Sequence, residues 1–524
     1  MAPAPTLPET ELCTFYEHPA ESIIPHLVRQ MPYASPVLRR IQHSLAYPSA
    51  TARILATFPP GATPGCPSPL SAAPSSSWPS STTEPTPASP APDAHLSSAS
   101  GSAIAPSTTT TPWLVAHVDL FRGRETQIIL YSSLEAECTF LPQIDPVSNV
   151  LSRDSGPGES AKPAEADRDG NGAPTHSPHT SENHTDSDAQ SGNAQRIPKY
   201  AVASLSADPE RLKAVQNQLL VFLSYLKTHL LPEYLASISY DHASSVSSAS
   251  EPMIATTTKT TPSSSPSAGA SLIPPPDPRA FLIGTFHTGL FELLLQSGTF
   301  PRVSLDGKSI HGADPDPIPG LRILRYDNPP YYKYYFPRAK FSSDREVEFE
   351  TPLPQGYRYH DRQGRIGVLP FQLNLVQSRT IIPRPRHQLL TLPSVAIYHD
   401  DGNASAAQTA SEHASAEEER EEMPIAWAFL GVDGAVVTLF VEPEHRGRGL
   451  ALALSKEVMR KGMSPDGVFG AKNAGVEDEA MVQALEGWVH AEVAGFNWAS
   501  RRVMEKVGGE VLTTAVWAII EVVD

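Results

Sequence analysis

Two arginines and two glycines within six residues, Arg446-Gly447-Arg448-Gly449-Leu450-Ala451, carry the clearest chemistry in the chain. The guanidinium groups bring full positive charge and donors shaped for phosphate. The glycines let the backbone turn tightly and approach a ligand with no side chain between. Ahead of them, Ala435 to Val441 is a run of β-branched and large apolar residues that reads as a strand buried on both faces. Pro443 ends it, having no amide to donate. Behind them, Leu450, Leu452, Ala453, Leu454 and Val458 supply the apolar positions of a helix, with Lys456, Glu457 and Arg460 as its polar ones. A strand, a glycine turn and a helix start make an anion site, because unpaired amides and the positive end of the helix dipole converge there.

Two familiar phosphate loops do not fit these residues. No Gly-Lys-Ser/Thr ending is present, and Leu450 and Ala451 follow Gly449 directly, so there is no GxGxxG. The pattern Arg-x-x-Gly-x-Ala after a Val-x-Pro strand end resembles the coenzyme A pyrophosphate loop of the GNAT acyltransferase superfamily.

Net charge is −17, which speaks against a nucleic-acid partner. Part of that charge lies in Glu417-Glu-Glu-Arg-Glu-Glu422, which reads as solvated loop. Three scattered cysteines form no disulfide framework and suit a reducing compartment. Residues 1–12 show neither a basic nor an apolar leader pattern, and no apolar run reaches membrane-spanning length. The expectation is a cytoplasmic or nuclear protein, not secreted, with no membrane partner. His18, His26 and the other histidines have no ligand spacing, so no metal is expected. No pattern fixes an oligomeric state.

Many of the 53 prolines and 32 glycines sit in Ser/Thr/Pro/Ala-rich or acidic runs at 62–111, 143–198, 241–278 and 400–422. Such composition cannot bury a core and reads as disordered. Between these runs the periodicity predicts two short helices before residue 50, on Ile23, Ile24, Leu27 and Val28 and on Val37, Leu38, Ile41 and Leu45. It then predicts a strand at 52–58, a hairpin over 112–132, and a helix capped by Asp208 and opened by Pro209. A strand at 280–284 and a helix at 288–296 follow. The order is compatible with a degenerate GNAT-like domain over 11–300, without a second coenzyme loop. Residues 301–369 read as a connector; Tyr326 to Phe336 packs five tyrosines and a phenylalanine into one span. These aromatics either line a substrate pocket or clamp the two halves together, and the clamp is favoured.

Residues 370–524 carry the fuller resemblance. Leu392-Pro-Ser-Val-Ala-Ile397, then Pro424-Ile-Ala-Trp427, then the glycine loop look like the C-terminal domain of glycine N-acyltransferase-like proteins. The resemblance implies an α+β fold with a mixed sheet, and acetyl-CoA or another acyl-CoA as co-substrate. The main chain of Leu439, Phe440 and Val441 would bind the pantetheine, as an added strand does. The amides of Arg446, Gly447, Arg448, Gly449, Leu450 and Ala451 would hold the pyrophosphate. Asn497 matches the position that contacts the pantetheine, with Ser500 one turn further on; Asn497 serves equally as a plain helix N-cap. Where many superfamily members have a tyrosine acid, this chain has Met504.

The reaction implied is N-acyl, most simply N-acetyl, transfer to a small-molecule or peptide amine by direct attack in a ternary complex. A protein or polyamine acetyltransferase is the alternative within enzymes, and a non-catalytic coenzyme-binding protein the alternative outside them. Strand alternation puts Trp488, His490 and Glu492 on one face of a strand at 488–493, while Glu442 ends the strand before the loop. Glu492, His490 and Glu442 are therefore the candidate bases, Glu492 first, since a carboxylate in a closed cleft is tuned towards neutral pH. The family's acidic residue at the start of strand four has no counterpart at Gly434-Ala435.

Overall fold

The first half opens with β1 (Tyr16–Glu17), α1 (Ala20–Val28), α2 (Ser35–Ala46) and β2 (Arg53–Ala56). Then come β3 (Leu114–Val118), β4 (Ile128–Ser132), β5 (Cys138–Pro142), β6 (Ala201–Leu205) and α3 (Pro209–Tyr225). It closes with β7 (Ala280–His287), α4 (Thr288–Gln296), the short β8 (Arg302–Val303) and β9 (Ser309–Ile310), then β10 (Leu321–Tyr326) and β11 (Tyr331–Pro337). The second half has β12 (Tyr357–Arg358), α5 (Leu373–Arg379), α6 (Arg386–Leu389), β13 (Ser394–His399), β14 (Ala426–Leu430) and β15 (Val436–Val441). After these follow α7 (Leu450–Gly462), α8 (Glu479–Glu486), β16 (Trp488–Ala494), α9 (Trp498–Val507) and β17 (Glu510–Val522). The computed structural model describes residues 14–62, 64, 111–122, 125–142, 201–237, 279–297, 302–303, 309–310, 320–327, 330–343, 347–380, 382, 384–400 and 421–523. The four runs read as disordered lie outside these residues except at their edges. The chain separates into one unit of Met1–Thr139 with Ala203–Asp524, treated below, and another of Phe140–Val202.

The class is α+β, and one strand plan occurs twice. In the first half β1, β2, β3 and β4 pair antiparallel in that order, and β7 then joins β4 in parallel, at Ile128 with Ile283 and Ile129 with Gly284. In the second half β12, β13, β14 and β15 pair antiparallel, and β16 meets β15 in parallel at Ala435 and His490. The remaining strands are exchanged. β11, from the first half, lies between β16 and the start of β17. The later part of β17 lies between β7 and β10. A single 13-residue strand therefore belongs to the edge region of both plans.

This exchange gives the aromatic run its place. Tyr332, Tyr334, Tyr335 and Phe336 are all buried on β11, a central strand, so the segment expected to be a connector supplies two strands of the large sheet. The clamp reading holds in that sense. Aromatic and β-branched side chains fill a two-sided strand well, which is why the pattern lacked alternation. β17 is longer than its apolar stretch from Ala515 to Ile520 because Glu510 to Thr514 pair with β11.

Apolar clusters among the described residues hold these layers. α3, α4 and the faces of β3, β4, β7 and β17 share one, including Leu219, Phe222, Phe286, Leu290 and Ile520. α1 and α2 cover the other face of β3 and β4 through Ile24, Leu27, Val37 and Ile41, with Leu485 of α8 joining them. Leu45 leaves the expected stripe and is exposed; α2 buries Arg39, Arg40, Gln42 and His43 instead. Arg39 Nη1 donates to Gln42 Oε1 (2.7 Å) and the Phe469 carbonyl (3.1 Å), and Nη2 to the carbonyls of Leu485 and Trp488. Burial lowers its pKa to about 9, opposed by Glu486. Helix α2 is thus fastened to the start of β16. Glu422, read as part of a solvated acidic run, is 13% exposed at its side chain and paired with Arg358 at 2.5 Å.

The shared strand generates a prediction. Ile520 is 2% exposed and faces Phe281 of β7 and Ile323 of β10. Ile520→Asp buries a carboxylate with no partner and is expected to remove roughly 3 kcal/mol or more of stability. Chemical denaturation followed by tryptophan fluorescence measures this; a change below about 1 kcal/mol would show that β17 does not weld the first half.

Candidate functional site

Strand β15 is not buried on both faces as its composition suggested. Val437, Thr438, Leu439 and Phe440 are each only partly covered. The reason is local: β15 is the last strand of its sheet and touches β16 by one bridge, Ala435 with His490. Beyond that bridge the two strands part. A bulge sharpens the parting: Trp427 faces Phe440 and Phe429 faces Val437, leaving an extra residue on β15. Thr438 takes it up with φ +53°. The edge of β15 from Thr438 to Val441 is therefore free of strand pairing, and it contains Leu439, Phe440 and Val441.

The parted strands lead to the glycine turn. Pro443 to His445 make one tight turn, Gly447 and Gly449 are left-handed at φ +77° and +82°, and α7 begins at Leu450. Glycine adopts such angles without strain. No heavy atom lies within 4 Å of where a Cβ would stand on either glycine. The two glycines are thus kept for backbone shape and an open face, not for packing. Amides of Gly447, Arg448, Gly449, Leu450 and Ala451 donate to no other described residue, whereas those of Leu452 and Ala453 bond the Gly449 carbonyl. Five successive donors at a helix start fit a diphosphate. Arg446 and Arg448 are exposed beside them. Arg446 Nε donates to the Val441 carbonyl at 3.0 Å, with its guanidinium over the Phe440 ring. Arg448 Nη1 donates to Tyr357 Oη at 2.9 Å, and that hydroxyl also meets His445 Nδ1 at 2.9 Å. Tyr357 was not singled out in the sequence, because its link to the loop depends on β12 pairing with β13.

The corresponding helix start of the first half differs. There, α3 starts at Asp208, whose carboxylate accepts from the Arg211 amide at 3.0 Å, with Glu210 in the first turn. That helix start is already capped and negative, so it repels a phosphate.

Asn497 caps α9, its side chain accepting from the Ser500 amide at 3.1 Å. Both residues lie just past β16, and Asn497 is exposed. Met504 is buried at 2% exposure and lies in the core.

Each of the three candidate bases has a partner in the structure. Trp488, His490 and Glu492 do share a face of β16, but Glu492 is not free. Its Oε1 is 3.3 Å from Lys333 Nζ, with side-chain exposures of 5% and 1%. Thr285 Oγ1 and Trp517 Nε1 also donate to it. A carboxylate matched by a buried ammonium and two donors is a structural pair. His490 is fully buried, with Nδ1 3.2 Å from Ser35 Oγ. Burial lowers its pKa to about 3, so the ring stays neutral and takes up a proton poorly. Glu442 is paired with Arg379 Nε at 2.9 Å, at the far end of β15 from the bridge. A residue the sequence reading passed over stands at the near end: Asp433 is 7% exposed and its Oδ1 accepts from the Ala435 amide at 3.2 Å. Its signal was its place one residue before Gly434.

Among the described residues no group of three or more His, Cys, Asp or Glu is placed to hold a metal ion. Nor is any described helix long and apolar enough to cross a membrane.

Residues 11–334 match the family model described as the acyl-CoA N-acyltransferase verG N-terminal domain. The glycine loop lies beyond that span. No curated protein matches by sequence. Among solved structures, a Drosophila protein shares 12% identity at a TM-score of 0.27, over 47% of this chain and 61% of its own. A putative GNAT-family acetyltransferase from Novosphingobium aromaticivorans shares 16% at 0.24, over 40% and 72%. A GCN5-related N-acetyltransferase from Kribbella flavida shares 11% at 0.21, over 39% and 61%.

If Glu492 is structural, Glu492→Gln leaves Lys333 buried and unpaired. The expected loss is roughly 3–5 kcal/mol, and adding Lys333→Met to it should restore most of that. Urea unfolding of both variants tests this. Unchanged stability in the single variant would return Glu492 to the list of free groups.

Proposed function

Because the chain belongs to the acyl-CoA N-acyltransferase verG N-terminal domain family, we propose that it moves an acyl group from coenzyme A to an amine, the acetyl group being the simplest case. The observation that supports this most is the run of unpaired amides from Gly447 to Ala451 at the mouth of two parted strands. The loop takes the pyrophosphate, Arg446 and Arg448 neutralise its charge, and the free edge of Leu439 to Val441 receives the pantetheine as an added strand. Asn497 and Ser500 border the same arm. This puts the thioester near the bridge of Ala435 and His490. The amine nitrogen attacks the carbonyl carbon, the C–S bond breaks, and coenzyme A leaves as a thiol once protonated. Two reactants held side by side need no covalent enzyme intermediate.

Before attack an ammonium acceptor must lose a proton. We place that step at Asp433, at the narrow end of the opening, since Glu492 and His490 are held internally and Glu442 lies at the other end. Acceptors of the glycine N-acyltransferase type, and protein or polyamine amines, are the classes to assay.

A second reading, coenzyme binding without turnover, is favoured by one observation: Met504 sits in the core where a tyrosine acid would be useful. Thiol release from acetyl-CoA with pooled amino acids, polyamines and peptides, run beside calorimetry, separates the two. Turnover supports the enzyme; binding with no turnover on any pool supports the second reading.

Two substitutions test the assignment further. Gly449→Asp is expected to abolish acyl-CoA binding with the fold intact, because a carboxylate there repels the pyrophosphate. An unchanged dissociation constant would remove the loop from the site. Asp433→Asn is expected to lower turnover at least about tenfold at pH 7, with partial recovery at high pH as the acceptor deprotonates itself. Equal turnover would move the proton to water.

A further inference from the structure

Thr438 has two properties that its place in a sheet does not require. Its backbone is left-handed at φ +53°, which a β-branched residue adopts only under strain. Its hydroxyl is buried and has no hydrogen-bond partner among the described residues, although buried hydroxyls are nearly always paired. Both properties fall on the bulge of β15, just past the one bridge to β16. A glycine would relieve the angle, and a valine would remove the unpaired oxygen. Threonine is the less stable choice on both counts, and strain of this kind collects where a ligand repays it.

We propose that Thr438 is a catalytic residue of the acyl transfer, its hydroxyl donating a hydrogen bond to the thioester carbonyl oxygen. This rests on the acyltransferase reading above. The hydroxyl keeps its own proton throughout. It holds the oxygen as negative charge gathers there on amine attack, and that charge returns to the carbonyl when the C–S bond breaks. It acts beside the main-chain edge left without a strand partner, and a preorganised donor at developing charge is worth more than the same donor in water. Thr285 of β7 has the same left-handed angle, φ +52°, but its hydroxyl is paired with Glu492.

Thr438→Val and Thr438→Ser decide it. Valine keeps the shape and loses the hydroxyl; serine keeps the hydroxyl and relaxes the branching. Wild type and both variants are compared for acetyl-CoA affinity by calorimetry, for kcat on the best acceptor, and for thermal unfolding. The expected result is kcat lowered at least about tenfold in the valine variant, with affinity within about twofold and a melting temperature equal to or above wild type. Serine should restore kcat to within about threefold of wild type. Equal kcat in wild type and valine variant would overturn the role while leaving the acyltransferase reading intact. Loss of kcat in parallel with a lowered melting temperature, or serine failing as badly as valine, would overturn it too. A wild type that binds acetyl-CoA and turns over no acceptor would overturn the reading and the role together.

Discussion

Strands β15 and β16 hold together at one point and nowhere else, and the rest of the second half is arranged around keeping them apart. Parallel neighbours in a sheet would ordinarily zip along their length, since each unpaired backbone group left in a closed interior is costly. Here the bulge at Thr438 rotates β15 out of register with β14, and the strand turns away from β16. The result is a partly covered strip of main-chain donors and acceptors along the outer edge of β15, backed by its own sheet. A narrow ligand with amides of its own could pair with them as an added strand does. At the outer end the strip runs into the glycine turn, where the donors change from edge amides to helix amides.

Keeping a strip open requires walls that do not move, and the wall on the α2 side is unusually polar for a core. Arg39 reaches four acceptors with one guanidinium, fixing the approach to β16. A planar fork can do this where a lysine could satisfy one direction at a time. Gly434 lies against the stem of Arg39, close enough that a Cβ would stand 2.6 Å from its Cγ. That packing and its left-handed φ of +76° both call for glycine just ahead of β15. On the opposite side, the Lys333–Glu492 pair ties β11 to β16, so the exchanged strand is held by charge as well as by its ladder.

What the sequence disclosed follows from which residues report on local geometry. Gly447 and Gly449 were legible because glycine marks backbone angles other residues avoid, and Pro443 and Asp208 because each has one structural use at its place. Helices α1 to α4 and α7 announced themselves by spacing. Helix α8 did not: its eight residues are too few to show a period beside a loop. The bulge was illegible, since threonine suits an ordinary strand and only the register with β14 exposes the extra residue. Partnerships between distant residues were equally hidden. Glu492 looked like a free carboxylate on an alternating strand, and its counter-ion, Lys333, lay within an aromatic run that gave no sign of charge pairing. Burial of Arg39 and Arg40 was hidden as well: the apolar stripe of α2 is buried at Val37, Leu38 and Ile41 as expected, and tertiary acceptors bury the polar side of the helix too.

The exchanged strand also has a consequence in time. During synthesis β7 and β10 emerge early, yet the strand that belongs between them is made only after β16 and α9 have been translated. The first half therefore cannot complete its sheet until the end of the chain has been made. Unpaired strand edges invite pairing with other chains. A cut between the halves would yield two fragments that each lack a strand held by the other.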